Sequence, residues 1–120
     1  MRVSTLVETA FSGDVRISHI FAEIREVCEA RTRDELREEM SDVLCFAQVW
    51  LFQRLRGRLD WSMPVGRYAA NKFTARMAVW RDIFAREGLV FHPRYLVGGG
   101  NYAKPEKVRA ALAAARSEAG

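Results

Sequence analysis

Apolar residues recur at steps of three and four along nearly the whole chain, and no period-two alternation persists anywhere. That spacing gathers side chains onto one stripe of a helix, so the expected fold is all-α. Ile17, Ile20, Phe21, Ile24, Val27 and Cys28 mark a helix over 15–30, with this stripe as its core face. Thr32, Arg33, Asp34 and Glu35 read as a capping box that opens a second helix, ending near Gly57. Its later half is apolar almost all round, which predicts burial on several sides by other helices or by a partner subunit. A third helix is expected after the connection at Asp60–Met63, with Ser62 or Met63 as cap and Pro64 in its first turn. It should run to about Glu87 and close at Gly88, with Phe73, Met77, Trp80 and Phe84 as its core stripe. The pattern lapses from Val90 to Tyr102, where Pro93 and Gly98–Gly100 mark a loop. Pro105 then opens a last helix whose alanines, Ala110 and Ala113–Ala115 among them, supply helix propensity rather than a core. The expected architecture is one domain over 1–120, an antiparallel four-helix-type bundle completed by oligomerisation. Its motif-bearing core spans about 15–88, and a glycine-rich loop and helix occupy 89–120.

With 120 residues, 49% of them hydrophobic, the chain can bury a single core and is not disordered. Its best apolar run, Val43–Phe52, is interrupted by Gln48 and falls short of the ~18 residues a membrane span needs. No apolar leader core follows Met1, and the two cysteines, Cys28 and Cys45, make neither a disulfide framework nor a zinc knuckle. A reduced, cytoplasmic setting without membrane contact is the expectation. Residues 1–42 hold ten acidic and six basic side chains, and residues 43–120 hold five and thirteen. A uniformly basic chain would suggest nucleic acid; an acidic block followed by a basic one fits a metal pocket facing a phosphate clamp.

Two acidic tetrapeptides sharpen that reading: Glu23 with Glu26, and Glu39 with Asp42. Residues three apart share a helix side. The short turn around Arg31–Arg33 makes the two helices antiparallel neighbours, so Glu26 and Glu39 sit at similar depth, with Glu23 and Asp42 one turn further on. Two like charges ~5 Å apart at an effective dielectric of ~20 repel by roughly 3 kcal/mol. Four converging carboxylates therefore call for a divalent ion, and all-oxygen ligands favour Mg²⁺ or Mn²⁺ over zinc. A solvated acidic face would carry Lys or Arg three or four residues away. Glu29 does, flanked by Arg25 and Arg33; Glu23, Glu26, Glu39 and Asp42 do not. On a helical wheel His19, Ala22, Glu23, Glu26 and Ala30 lie opposite the Ile17, Ile24 and Cys28 stripe. Glu39, Asp42, Phe46, Val49 and Gln53 form a comparable stripe on the next helix.

Taken together, Glu23-x-x-Glu26, twelve residues, Glu39-x-x-Asp42, and then Asn71-Lys72-Phe73-x-x-Arg76 resemble the MazG-like all-α nucleoside triphosphate pyrophosphohydrolases over about residues 17–87. The resemblance implies hydrolysis of a (d)NTP to the monophosphate and pyrophosphate, with Glu23, Glu26, Glu39 and Asp42 as metal-holding catalytic acids and Mg²⁺ as cofactor, Mn²⁺ substituting. It further implies that Lys72 and Arg76 neutralise phosphate oxygens, that Asn71 contacts sugar or base, and that the chain assembles as a homodimer or homotetramer. Phe46 and Trp50 follow Asp42 by four and eight residues and offer stacking surfaces for a base, although such stripes more often serve the core. His19, one turn before Glu23, reads as a nucleotide-contacting side chain or as a capped or partly buried histidine. Trp61 and Tyr68 read as pocket-closing or interface residues. The stretch Gly98–Lys107, with its two lysines and helix start, departs from the family pattern and reads as a mobile turn or a phosphate-binding cover. Alternatives are phosphoribosyl-ATP or dUTP hydrolysis on a related scaffold, a basic helical module that binds nucleic acid or a protein, and a catalytically silent bundle.

Overall fold

The computed structural model describes residues 1–56, 58–59, 61–96 and 101–119. These form helices α1 (Val3–Ala10), α2 (Ile17–Glu29), α3 (Arg33–Leu55), α4 (Arg67–Arg86) and α5 (Pro105–Ala119), with a 3₁₀ turn at Pro93–Tyr95. Among the described residues there is no strand, and no helix is long and apolar enough to cross a membrane.

The sequence reading passes over α1, although Val3, Leu6, Val7 and Ala10 carry helical spacing and all four are buried. Its start is tied down by backbone bonds from Val3 N–H to the Met63 carbonyl and from Val65 N–H to the Met1 carbonyl. This pairing also corrects the expected start of the third helix. Pro64 faces Arg2 in an isolated bridge, and α4 begins three residues later, after Gly66. The segment before Gly66 satisfies its backbone against the N-terminus instead of turning into a helix. From there α4 behaves as its pattern predicts. Phe73, Met77, Trp80 and Phe84 are buried, and Gly88 at φ +70° supplies the left-handed residue that ends the helix.

α1 packs between α3 and α4, and Trp80, Phe84, Phe91 and Tyr95 form an aromatic cluster beneath the 3₁₀ turn. α5 covers that turn. Ala111 and Ala115 are buried there with Leu112, so these two alanines are core residues whose small side chains permit close approach. Ala110 and Ala113 are exposed, as expected of residues that supply only helix propensity.

α2 departs most from expectation. It packs chiefly on α3, and none of its thirteen residues is buried. Most of the stripe expected to be core is exposed, with Ile17 at 53%, Phe21 at 61% and Ile24 at 41%, while Ile20 and Val27 are half-buried. α3 is similar: Leu36, Met40, Leu44 and Leu51 are exposed, while Asp42, Cys45 and Val49 are buried. Thr32 caps α3 by accepting from the Glu35 N–H at 3.1 Å, and Glu35 reaches back to the Arg31 N–H at 2.8 Å. α3 ends at Leu55; Gly57, where its end was expected, lies outside the described residues, as do Asp60 and Gly98–Gly100.

Since Leu6 is fully buried, Leu6→Ala should destabilise the fold by about 2–5 kcal/mol. Urea denaturation checks this; an unchanged midpoint would mean that α1 is not part of the core.

Candidate active site

Helices α2, α3 and α4, the α1–α2 connection and Asn101–Tyr102 enclose a cleft of about 650 Å³. The pairing of α2 with α3 turns the acidic stripe of each helix toward it, so Glu23, Glu26, Glu39 and Asp42 all line it. One carboxylate oxygen each from Glu23, Glu26 and Glu39 lies within 4.8 Å of the other two. Asp42 is the buried charged side chain among the described residues and is held in an ion pair by Lys72 of α4. The four acids therefore divide into a triad and a separately paired aspartate.

The triad is electrostatically uncompensated. Glu23 Oε2 and Glu39 Oε2 are buried and have no hydrogen-bond partner among the described residues. Loss of water pushes the Glu23 carboxyl up to about 7, helped by the charges of Glu26, Asp42 and Glu39. Glu39 is pushed up to about 7 as well, by desolvation first and then by its contact with Glu26. Buried anionic oxygens without donors are costly to leave unpaired, and a hard cation bound by oxygen ligands would satisfy them. The donor set thus fits Mg²⁺ or Mn²⁺. Cys45, one turn after Asp42, is buried, and its thiol is raised to about 12 by that burial, so it stays protonated and packs as an apolar side chain.

The opposite wall is basic and aromatic. Lys72, Phe73 and Arg76 of α4 all face the cleft. Phe11 packs edge-on to Phe46 at 5.9 Å between centroids and against Phe73 at 5.5 Å, forming an aromatic floor. Trp50 and Asn71 are not brought to the cleft. Trp50 lies about 80° around α3 from Asp42 at 100° per residue, and is half-buried with Arg54 over its ring. Asn71 precedes Lys72 by one residue, about 100° away on α4, and is exposed. Trp61 and Tyr68 do not line the cleft either.

His19 lines the cleft, but its Nδ1 accepts from the Arg16 N–H at 3.1 Å and so caps α2. The rest of the connecting loop is fixed by Gln53 of α3. Its side chain accepts from Val15 N–H at 2.7 Å and donates to the Gly13 carbonyl at 3.1 Å. Sequence reasoning places Gln53 on the acidic stripe yet misses Phe11 and the loop at Ser12–Asp14. A Ser-Gly-Asp turn carries no sign of what it faces. Comparison with family models, curated proteins and solved structures finds no match.

The raised carboxyls give a stability signature in metal-free protein. Their contribution is fully present below the unfolded value of 4.5 and is lost as pH rises through about 7. Glu39→Gln should therefore raise the thermal midpoint at about pH 8 in chelator, with little effect near pH 5, where the native carboxyl is already protonated. A midpoint at the higher pH that is unchanged or lowered would contradict the raised Glu39 carboxyl.

Proposed function

We propose that this chain is a Mg²⁺-dependent nucleoside triphosphate pyrophosphohydrolase of the MazG-like kind, releasing pyrophosphate from a (d)NTP. The observation that carries the reading is the opposition of two surfaces across one cleft: the Glu23, Glu26 and Glu39 triad on α2 and α3, and Lys72 with Arg76 on α4. A polyphosphate is the ligand class that matches both. It binds divalent cations on one side and accepts charge-assisted hydrogen bonds on the other.

Glu23, Glu26 and Glu39 would hold the ion. When bound, it supplies Lewis-acid polarisation of phosphate oxygens. The chain's own groups do the remainder. Arg76 and Lys72 neutralise non-bridging oxygens, where negative charge is greatest. Lys72 is shared with Asp42, which fixes its position and sets Asp42 apart from the triad. One carboxylate of the acidic set orients water toward the α-phosphorus and accepts its proton. The aromatic floor at Phe11 and Phe46 offers apolar surface for the base.

The same reading includes a second copy of the chain. Ile17, Phe21 and Ile24 of α2 and Leu36, Met40 and Leu44 of α3 are exposed and do not line the cleft. Six large apolar side chains bared on one helical hairpin are more than an isolated monomer usually shows. Two such hairpins, face to face, complete a four-helix bundle.

A screen of pyrophosphate release over canonical and modified nucleotides with Mg²⁺, including dUTP and phosphoribosyl-ATP, tests the activity. Turnover of at least one nucleotide is expected, falling about 100-fold or more in Glu39→Gln, the scale seen for electrostatic catalytic groups. Equal turnover by both proteins would reject the reading. Light scattering at micromolar concentration should report a dimer or larger, and Phe21→Glu should shift it toward monomer. A wild-type monomer would remove the second copy from the account.

A further inference from the structure

Arg76 is fixed from outside its own helix. Its Nη1 donates to Asn101 Oδ1 at 2.8 Å, and its Nη2 donates to the Tyr102 hydroxyl at 2.6 Å. The guanidinium lies over the Tyr102 ring, 4.1 Å from the centroid, and 5.7 Å from the Phe73 centroid. The Asn101 backbone is anchored independently, because its carbonyl accepts from Trp80 Nε1 at 2.9 Å and Trp80 is fully buried. Asn101 and Tyr102 both line the cleft.

The chemistry of these partners is informative. Lys72 shares its charge with Asp42 in an ion pair, whereas both side-chain acceptors on Arg76 are uncharged. Among the described residues no carboxylate lies within ion-pair distance of Arg76. Two neutral bonds and a ring face restrain the plane of the guanidinium while leaving its positive charge intact. They use one N–H on each terminal nitrogen of a group that carries five. An aspartate at position 101 would hold the same geometry and cancel that charge.

We infer that Asn101 and Tyr102 are positioning residues that set the Arg76 guanidinium as a preformed, still-charged fork for the phosphate chain of the ligand. The C-terminal segment beyond α4, which falls outside the motif-bearing stretch, is thereby part of the site. The inference rests on the polyphosphate reading of the cleft but not on hydrolysis. Preorganisation of this kind removes the entropy of ordering a long side chain at the moment of binding.

The test is calorimetric titration of the 120-residue chain with inorganic pyrophosphate in the presence of Mg²⁺, together with urea denaturation of each variant. Asn101→Ala should weaken binding several-fold in the wild-type background and have no effect in the Arg76→Ala background, since it acts through that side chain. Asn101→Asp should weaken binding by about tenfold or more while leaving the urea midpoint equal or higher, because the new carboxylate pairs with Arg76. Tyr102→Phe, which keeps the ring and loses the hydroxyl, should lose less than Tyr102→Ala. A merely structural role would make affinity follow stability, so Asn101→Asp would bind as well as wild type. That result, or an Asn101→Ala effect that persists without Arg76, overturns the inference, as does a wild-type protein that binds no pyrophosphate. If every nucleotide is inert yet Asn101→Asp still weakens pyrophosphate binding, the hydrolase reading falls and the positioning role stands.

Discussion

Mutual repulsion among the carboxylates of α2 and α3 is the constraint to which the rest of the molecule answers. Glu23, Glu26 and Glu39 bring oxygens within 4.8 Å of one another, and Glu23 Oε2 and Glu39 Oε2 are buried with no hydrogen-bond partner among the described residues. Nothing local to either helix offsets that. Helix α3 is capped by Thr32 and held by Cys45 and Val49 in the core, so it presents its acids from a rigid base. Helix α2 lies on α3 with Glu23 and Glu26 lining the cleft while Ile17, Phe21 and Ile24 are exposed, unlike an ordinary surface helix. On the proposed reading both oddities are answered from outside the chain: a divalent ion would satisfy the acids, and a second hairpin would cover the exposed apolar side chains.

How much of this was legible in the sequence follows from what periodicity encodes. Spacing identifies which residues share a helix side, and that part succeeded: the acids of α2 and α3 meet, and the stripe on α4 is buried. Spacing does not say which side faces the protein. Ile17, Ile24 and Cys28 form a good core stripe by composition, yet in the single chain they are exposed, because α2 packs chiefly on α3. The same limit explains Trp50 and Asn71. Each lies next to a site residue along the chain or stripe, but 80–100° of helical rotation carries it out of the cleft.

Other features were hidden for local reasons. α1 is only eight residues long, with three Ser or Thr among them, and isolated helices of that length are marginal until tertiary contacts hold them. Its bonds to Met63 and Val65 are long-range and leave no local mark. The Arg76 partners fall beyond a loss of periodicity, where glycine and proline predict a turn without indicating what it approaches. Asn101 and Tyr102 then complete a wall that α4 begins, so the chain beyond Arg86 belongs to the cleft as much as to the core.

The central claim is that the paired helices direct their acids at one shared cation. Its most direct measurement is an anomalous difference map from crystals grown with Mn²⁺, which reports the ion itself rather than its consequences. The account predicts a peak within bonding distance of Glu23, Glu26 and Glu39. A map without density there, with the three side chains turned out into solvent, would contradict it.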